Sequence, residues 1–232
     1  MTTRRLAALA MTLLLALTLA PAPTASAATV RLDGVTVALQ PGTTQVITVN
    51  RTSSWHARVT FWRKTSGGWQ AVQRAQDGRI GYGGLVVGTK RKQGTGTTPL
   101  GSYRLLATFG THARAASWDL PYRRIRAGDY WVEDNQSAYY NRYRNKSQGG
   151  FRWWLRSGEN TSERLADFPT QYEYAVNTGF NRSQVRHRGA GIFLHVNGHG
   201  ATAGCVSAPR AFMRSAMVRL DPARVPVIAI GR

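Results

Sequence analysis

Residues 192–207 read IFLHVNGHGATAGCVS and contain the only cysteine of the chain, Cys205. Ile192, Leu194 and Val196 fall on one face of an extended segment, and Phe193 and His195 fall on the other. An apolar alternation of this kind predicts a largely buried strand, which would hold the His195 imidazole by packing. Glycines at 198, 200 and 204 interrupt the residues after the strand and return the chain toward a lone thiol. The pairing of residue types points to a cysteine nucleophile with a histidine base. Only the thiolate attacks a carbonyl efficiently, and an imidazole either takes the proton or stabilises the thiolate as an ion pair that lowers the thiol pKa.

Geometry ranks the five histidines for that role. A tight two-residue hairpin at Asn197-Gly198 would carry Cys205 roughly 16 Å past His195 along the strand direction, and His199 farther still. The thiol and the imidazole meet only if residues 196–204 form a wider loop that folds back. In such a loop His195 is the expected base and His199 faces solvent or substrate. His56, His112 and His187 lie in segments with no link to the thiol. Gly204 permits close backbone approach, and N–H groups around Ala203, Gly204 and Cys205, beside Thr202, are the expected oxyanion site.

Composition narrows the setting. Arg4 and Arg5, the apolar run 6–20 and the small residues Ala25-Ser26-Ala27 form a secretory signal pattern, with cleavage expected near Ala27. Pro21 and Pro23 end the apolar run before it reaches the ~20 residues of a membrane span, so no stable membrane anchor is expected. A single cysteine forms no disulfide within the chain, and an idle thiol in an oxidising compartment is a liability, which argues for a functional one. No C-x-x-C or H-x-x-x-H spacing accompanies it, so a zinc site is disfavoured and no metal or cofactor is expected. The net charge is +20, and removing Arg4 and Arg5 with the signal leaves +18. The arginines are scattered, without a basic helix. For an exported chain, expected to be monomeric, they suit anionic wall polymers rather than nucleic acid.

The remaining chain predicts a β-rich α+β fold. VTVAL, TQVITV, ARVTFWRK and GWQAVQRA, separated by turn residues, predict antiparallel strands over 28–76, either edge strands or a small annex of one domain that continues through 77–232. A short strand at 85–87 leads into a basic glycine-rich loop, 88–96. No lysine follows its last glycine, which excludes a phosphate-binding loop. A strand is expected over 102–107, with 109–126 loop-like. Residues 129–144, DYWVEDNQSAYYNRYR, place acids and polar side chains among aromatics and suit one wall of a cleft. A short helix is expected at 161–166, strands at 171–176 and 225–230, and a helix over 208–220 started by Pro209.

Taken together, FLHV…TAGCVS and the upstream TTPLGSYRL resemble the L,D-transpeptidase catalytic-domain family of bacterial wall enzymes. In that pattern a histidine is followed, after a loop, by Ser/Thr-x-Gly-Cys, here His195, Thr202, Gly204 and Cys205. Thr98, Pro99 and Gly101 match its Thr-Pro-x-Gly element, and Asp134, Ser137, Tyr140 and Asn141 match an acid-rich segment ending in Tyr-Asn. The resemblance covers roughly 79–230. This chain has Ala203 where many members carry histidine, and Ser207 where many carry Arg or Asn, with Arg210 the expected substitute. The resemblance implies mixed β-sheets in a sandwich-like arrangement with a short helix beside the catalytic loop. It implies attack on the bond between the diamino acid and D-alanine of a peptidoglycan tetrapeptide stem, then transfer to an amine (a 3→3 cross-link) or to water. Asp134, Ser137, Tyr140, Asn141, His199 and Arg210 are the expected substrate contacts. Another cysteine acyl-transfer enzyme or peptidase of the wall, or a non-catalytic basic wall-binding module, is the alternative.

Overall fold

The computed structural model describes residues 28–232. The expected signal segment, 1–27, lies outside the described residues. Two short strands, β1 (Thr29–Leu32) and β2 (Val35–Ala38), form a hairpin of their own. Three long strands come next, β3 (Gln45–Ser53), β4 (His56–Thr65) and β5 (Gly68–Arg79), each antiparallel to the last. Then come β6 (Leu85–Val87), β7 (Thr98–Arg104), β8 (Ala107–Gly110) and β9 (Tyr122–Arg124). The acid-rich stretch supplies β10 (Asp129–Trp131) and β11 (Tyr143–Asn145), and β12 (Glu163–Arg164) pairs with β10. The last part of the chain holds β13 (Tyr174–Asn177), β14 (Phe193–Val196), β15 (Val206–Ala208), the helix α1 (Arg210–Arg219) and β16 (Val227–Gly231).

The architecture is mainly β with mixed sheets and, among the described residues, one α-helix, as the sequence predicts. Eleven strands order as β6-β7-β16-β3-β4-β5-β15-β14-β13-β8-β9. The strands at 45–79 are therefore interior members of the sheet, between β16 and β15, where parallel pairing with the chain's last strand closes the fold. β14 lies inside the same sheet, antiparallel to β13 and parallel to β15. Both of its faces are buried. Leu194 and Val196 join a core with Phe212, Met213, Ala216 and Met217 of α1. Phe193 packs on the other side among Phe109, Trp131, Tyr140 and Tyr172, with Cys205 against them. Interior strands of this kind keep apolar residues at successive positions because neither face meets water.

Four local expectations are corrected. The helix expected at 161–166 is instead the short strand β12 followed by a single turn, Leu165–Asp167, because Glu163 pairs with Trp131 of β10. The strand expected at 171–176 is split: Gln171–Glu173 is a turn, and only Tyr174–Asn177 extends, against β8 and β14. The strand expected at 102–107 starts earlier, at Thr98, and Ala107 already belongs to the next one. The segment expected to be loop-like, 109–126, includes β9, which pairs parallel with β8.

Candidate active site

β14 and β15 run parallel, in register Leu194↔Val206 and His195↔Ser207. Residues 197–205 are thus a return crossing from the end of one strand to the start of its neighbour, not a hairpin. This is the wide loop that a thiol–imidazole meeting requires. Parallel register places Cys205 level with Phe193, whose N–H donates to the Cys205 Sγ at 3.3 Å. The thiol in turn donates to the Gly191 carbonyl at 3.1 Å. Cys205 and His195 therefore project from the same face of adjacent strands, two residues apart in register, a diagonal relation of roughly 7 Å between backbone positions. Both line one cavity of about 450 Å³.

The loop is pinned by groups remote in sequence. Asn197 donates through Nδ2 to Asp77 O at 2.7 Å and accepts from Ser207 Oγ at 2.7 Å. Arg79 Nη1 donates to Gly198 O at 2.6 Å. Thr202 exchanges backbone bonds with Ile80 and Tyr82, and Thr98 Oγ1 donates to Gly204 O at 2.8 Å. Thr202 Oγ1 donates to Cys205 O at 2.6 Å and accepts from Gly204 N–H at 3.2 Å. Gly204 sits at φ +132°, and a Cβ there would stand 2.8 Å from Arg91 Nη2 and 3.0 Å from Thr97 O. Glycine is required by both conformation and space.

The imidazole is oriented by its own strand. His195 Nδ1 donates to Val196 O at 2.8 Å. A carbonyl only accepts, so the proton of the neutral ring is on Nδ1 and the Nε2 lone pair is left for base work. The Tyr172 ring meets the imidazole edge-on at 5.5 Å. Burial lowers the imidazole pKa to about 4, against a smaller opposing effect of the Val196 carbonyl. Burial pushes the Cys205 thiol well above its usual range, and Glu163 pushes it the same way, while the Phe193 N–H and Arg91 oppose. The pair therefore rests as neutral thiol and neutral imidazole. Desolvation of both groups opposes an ion pair, against the smaller pull of the Phe193 N–H and Arg91 on the thiol.

Of the other residues singled out in the sequence, His199, Thr202 and Ala203 line the cavity with Cys205 and His195. Gly204 lies between them in the loop, its N–H turned to Thr202. Asp134, Ser137, Tyr140, Asn141 and Arg210 are not in the lining, and each is engaged elsewhere. Asp134 forms a bidentate pair with Arg152, at 2.5 and 2.9 Å, which holds its carboxyl below the usual range. Ser137 Oγ donates to Gly150 O and accepts from Tyr139 N–H. Tyr140 OH donates to Gln93 Oε1 and accepts from Gly189 N–H. Asn141 accepts from Trp131 Nε1 and Gly191 N–H and donates to Phe180 O and Asn181 O. Arg210, on the helix's first turn, pairs with Glu173 on the surface. Tyr140 and Asn141 bond to residues in the lining, Gln93 and Gly191, whereas the partners of Asp134, Ser137 and Arg210 lie outside it.

The lining also includes residues the sequence did not single out: Arg91, Glu133, Glu163 and Tyr172. Glu133 is adjacent to the motif residue Asp134, and one step along an extended chain reverses which way a side chain points. Arg91 is nearly fully buried, and its Nε and Nη1 donate to Thr97 O and Arg188 O. Nothing in the local pattern at 91 or 163 marks either residue, because distant strands bring them to the thiol.

A buried thiol and a tautomer-fixed imidazole thus converge on one cavity from a glycine-assisted crossover. Residues 44–228 match the L,D-transpeptidase catalytic domain, the YkuD family. The chain belongs to this L,D-transpeptidase catalytic-domain family. The match begins at residue 44 and so takes in the interior strands β3–β5. A solved structure, L,D-transpeptidase 1 of Mycobacterium tuberculosis, is similar at 10% sequence identity with a TM-score of 0.36, over 82% of this chain and 62% of that one. Comparison with curated proteins yields no match.

Proposed function

We propose that the protein is an exported peptidoglycan L,D-transpeptidase in which Cys205 is the nucleophile and His195 its base. The observation that carries this reading is the convergence of the Cys205 Sγ and the His195 ring on one cavity within the family's own domain. The thiol gives its proton to His195 Nε2 as sulfur attacks the carbonyl between the diamino acid and D-alanine of a tetrapeptide stem. Because both groups start neutral, the proton moves during attack rather than before it. The developing oxyanion meets the backbone N–H groups of Ala203 and Cys205, since the Gly204 N–H is spent on Thr202 Oγ1. The C–N bond breaks, the imidazolium returns the proton to the departing D-alanine amine, and a thioester remains. An amine of a second stem then attacks to form a 3→3 cross-link, and water in its place gives L,D-carboxypeptidase activity.

Export is supported by the basic, apolar and small-residue pattern of 1–27, with residence at the cell wall. The excess of arginine favours contact with anionic wall polymers, an attraction that salt screens. The test is incubation of the protein, lacking 1–27, with purified tetrapeptide muropeptides, reading released D-alanine and the acyl products. Release by the wild type and its abolition in Cys205→Ala are expected. Cleavage elsewhere in the stem would favour a different cysteine peptidase. Wall sedimentation indifferent to Cys205→Ala, with no D-alanine released by the wild type, would favour a binding module.

A further inference from the structure

Two carboxylates on the cavity wall have no part in the acylation step above. Glu133 lies just beyond β10, and Glu163 begins β12, which pairs with β10 at Trp131. Both line the cavity with Cys205 and His195. Glu163 accepts a hydrogen bond from Tyr172 OH. The hydrogen bonds of Glu133 run through its backbone, to Ser162 Oγ and from Gln93 Nε2, and no described residue donates to its carboxylate. Arg91, the guanidinium in the lining, commits Nε and Nη1 to backbone carbonyls instead. In a chain with 31 Lys and Arg against 11 acids, two cavity-facing carboxylates that no described cationic side chain pairs with are an exception that calls for a ligand.

Their position relative to the nucleophile is set by Gly191. The Cys205 thiol donates to the Gly191 carbonyl at 3.1 Å. A Cβ on Gly191 would stand 2.7 Å from Glu133 Oε1 and 3.6 Å from Glu163 Oε2. One residue without a side chain therefore separates the thiol from the acid pair. The side chain of a diamino acid, with carbon–carbon bonds near 1.5 Å, reaches roughly 5–6 Å from its α-carbon, a span of the right order for that gap.

We propose that Glu133 and Glu163 form a subsite for the side-chain ammonium of a stem diamino acid. The inference rests on the L,D-transpeptidase reading and names the feature of the stem that the cavity selects. An ammonium offers three donors and no acceptor, matching one carboxylate with no protein donor and another with a single tyrosine donor. Burial raises both carboxyls, Glu163 to about 7, and the charge of Glu163 raises Glu133 further against the opposing pull of Arg91. A bound ammonium favours the charged form of both carboxyls and so opposes those shifts. The ammonium belongs to the donor stem, beside the carbonyl under attack.

The experiment compares stems with a free side-chain amine and stems N-acetylated there, using wild type, Glu133→Gln and Glu163→Gln. The readout is first-turnover acylation of Cys205 with enzyme in excess, a step that precedes any acceptor and in which the side-chain amine makes no bond. Alkylation of Cys205 by iodoacetamide, a neutral reagent, verifies an intact site in each variant. The expected result is a free-amine over acetylated preference in acylation rate of at least about tenfold, which falls toward one in both variants. Equal acylation by the two stems in wild type overturns the proposal, whatever the variants do. An undiminished preference in both variants overturns it as well. An absence of D-alanine release from any stem, with Cys205 still alkylated, defeats the underlying function and this inference with it.

Discussion

Residues 192–207 and residues 129–144 both set polar side chains among aromatics, yet they use them in opposite ways. In the first, the backbone absorbs the hydrogen bonds of the loop, and the thiol and the imidazole are left facing a cavity. In the second, the polar side chains turn inward on the protein itself. Asp134 closes on Arg152, Ser137 on Gly150, and Asn141 on four partners at once. The difference lies in register, not composition. A parallel crossing brings Cys205 back level with Phe193, whereas the polar side chains of 129–144 are taken up by neighbouring segments at 149–152 and 180–191. Glu133 is the one acid of that stretch in the cavity lining. The first segment should accordingly govern rate and the second stability.

The contrast is most exposed at His195. Replacement by alanine should lower acylation by about 10²–10⁴-fold, the range for a positioned general base, as read by single-turnover kinetics on a tetrapeptide stem. A loss below tenfold would move base catalysis elsewhere.

The protonation state of the pair is tested by alkylating free enzyme with iodoacetamide across pH. A thiol raised by burial contributes more thiolate with every unit of pH, so the rate should rise about tenfold per unit from about pH 6 to 9 without a plateau. A plateau already present near neutrality would mean a preformed ion pair, contrary to the depressed imidazole and raised thiol.

In the second segment, Asn141→Ala should act on stability. It strands the Trp131 and Gly191 N–H groups and two carbonyls in a buried setting. The expected cost is about 2–4 kcal/mol, or a Tm lower by roughly 5–15 °C in calorimetry. Asn141 also sits at φ +55°, a region asparagine tolerates better than alanine. An Asn141→Ala protein with unchanged Tm and reduced kcat would instead place Asn141 in the chemistry.

How far the sequence carried depended on how local the cause was. The alternation around His195, the strands at 45–79 and the helix behind Pro209 were legible because apolar period and turn residues determine them nearby. The need for a wide loop at 196–204 was legible too, from distance alone. Its parallel course was not, because the groups that pin it, Asp77, Arg79 and Thr98, lie more than 100 residues away. The segment at 161–166 misled for the same reason: its helical look yields to pairing of Glu163 with Trp131. The motif match reached Asp134 and passed over Glu133 beside it, since a pattern of residue types does not say which of two neighbouring acids points into a cavity. It likewise placed Asn141 among the expected substrate contacts, and in the structure its buried amide meets four partners within the protein.

Whether Cys205 carries the acyl group is measured directly by intact-protein mass spectrometry after brief incubation with a tetrapeptide muropeptide, followed by peptide mapping. The predicted result is an adduct with the mass of the stem less D-alanine, borne on Cys205 and absent from Cys205→Ala. An adduct on another residue, or D-alanine released at the wild-type rate by Cys205→Ala, would contradict it.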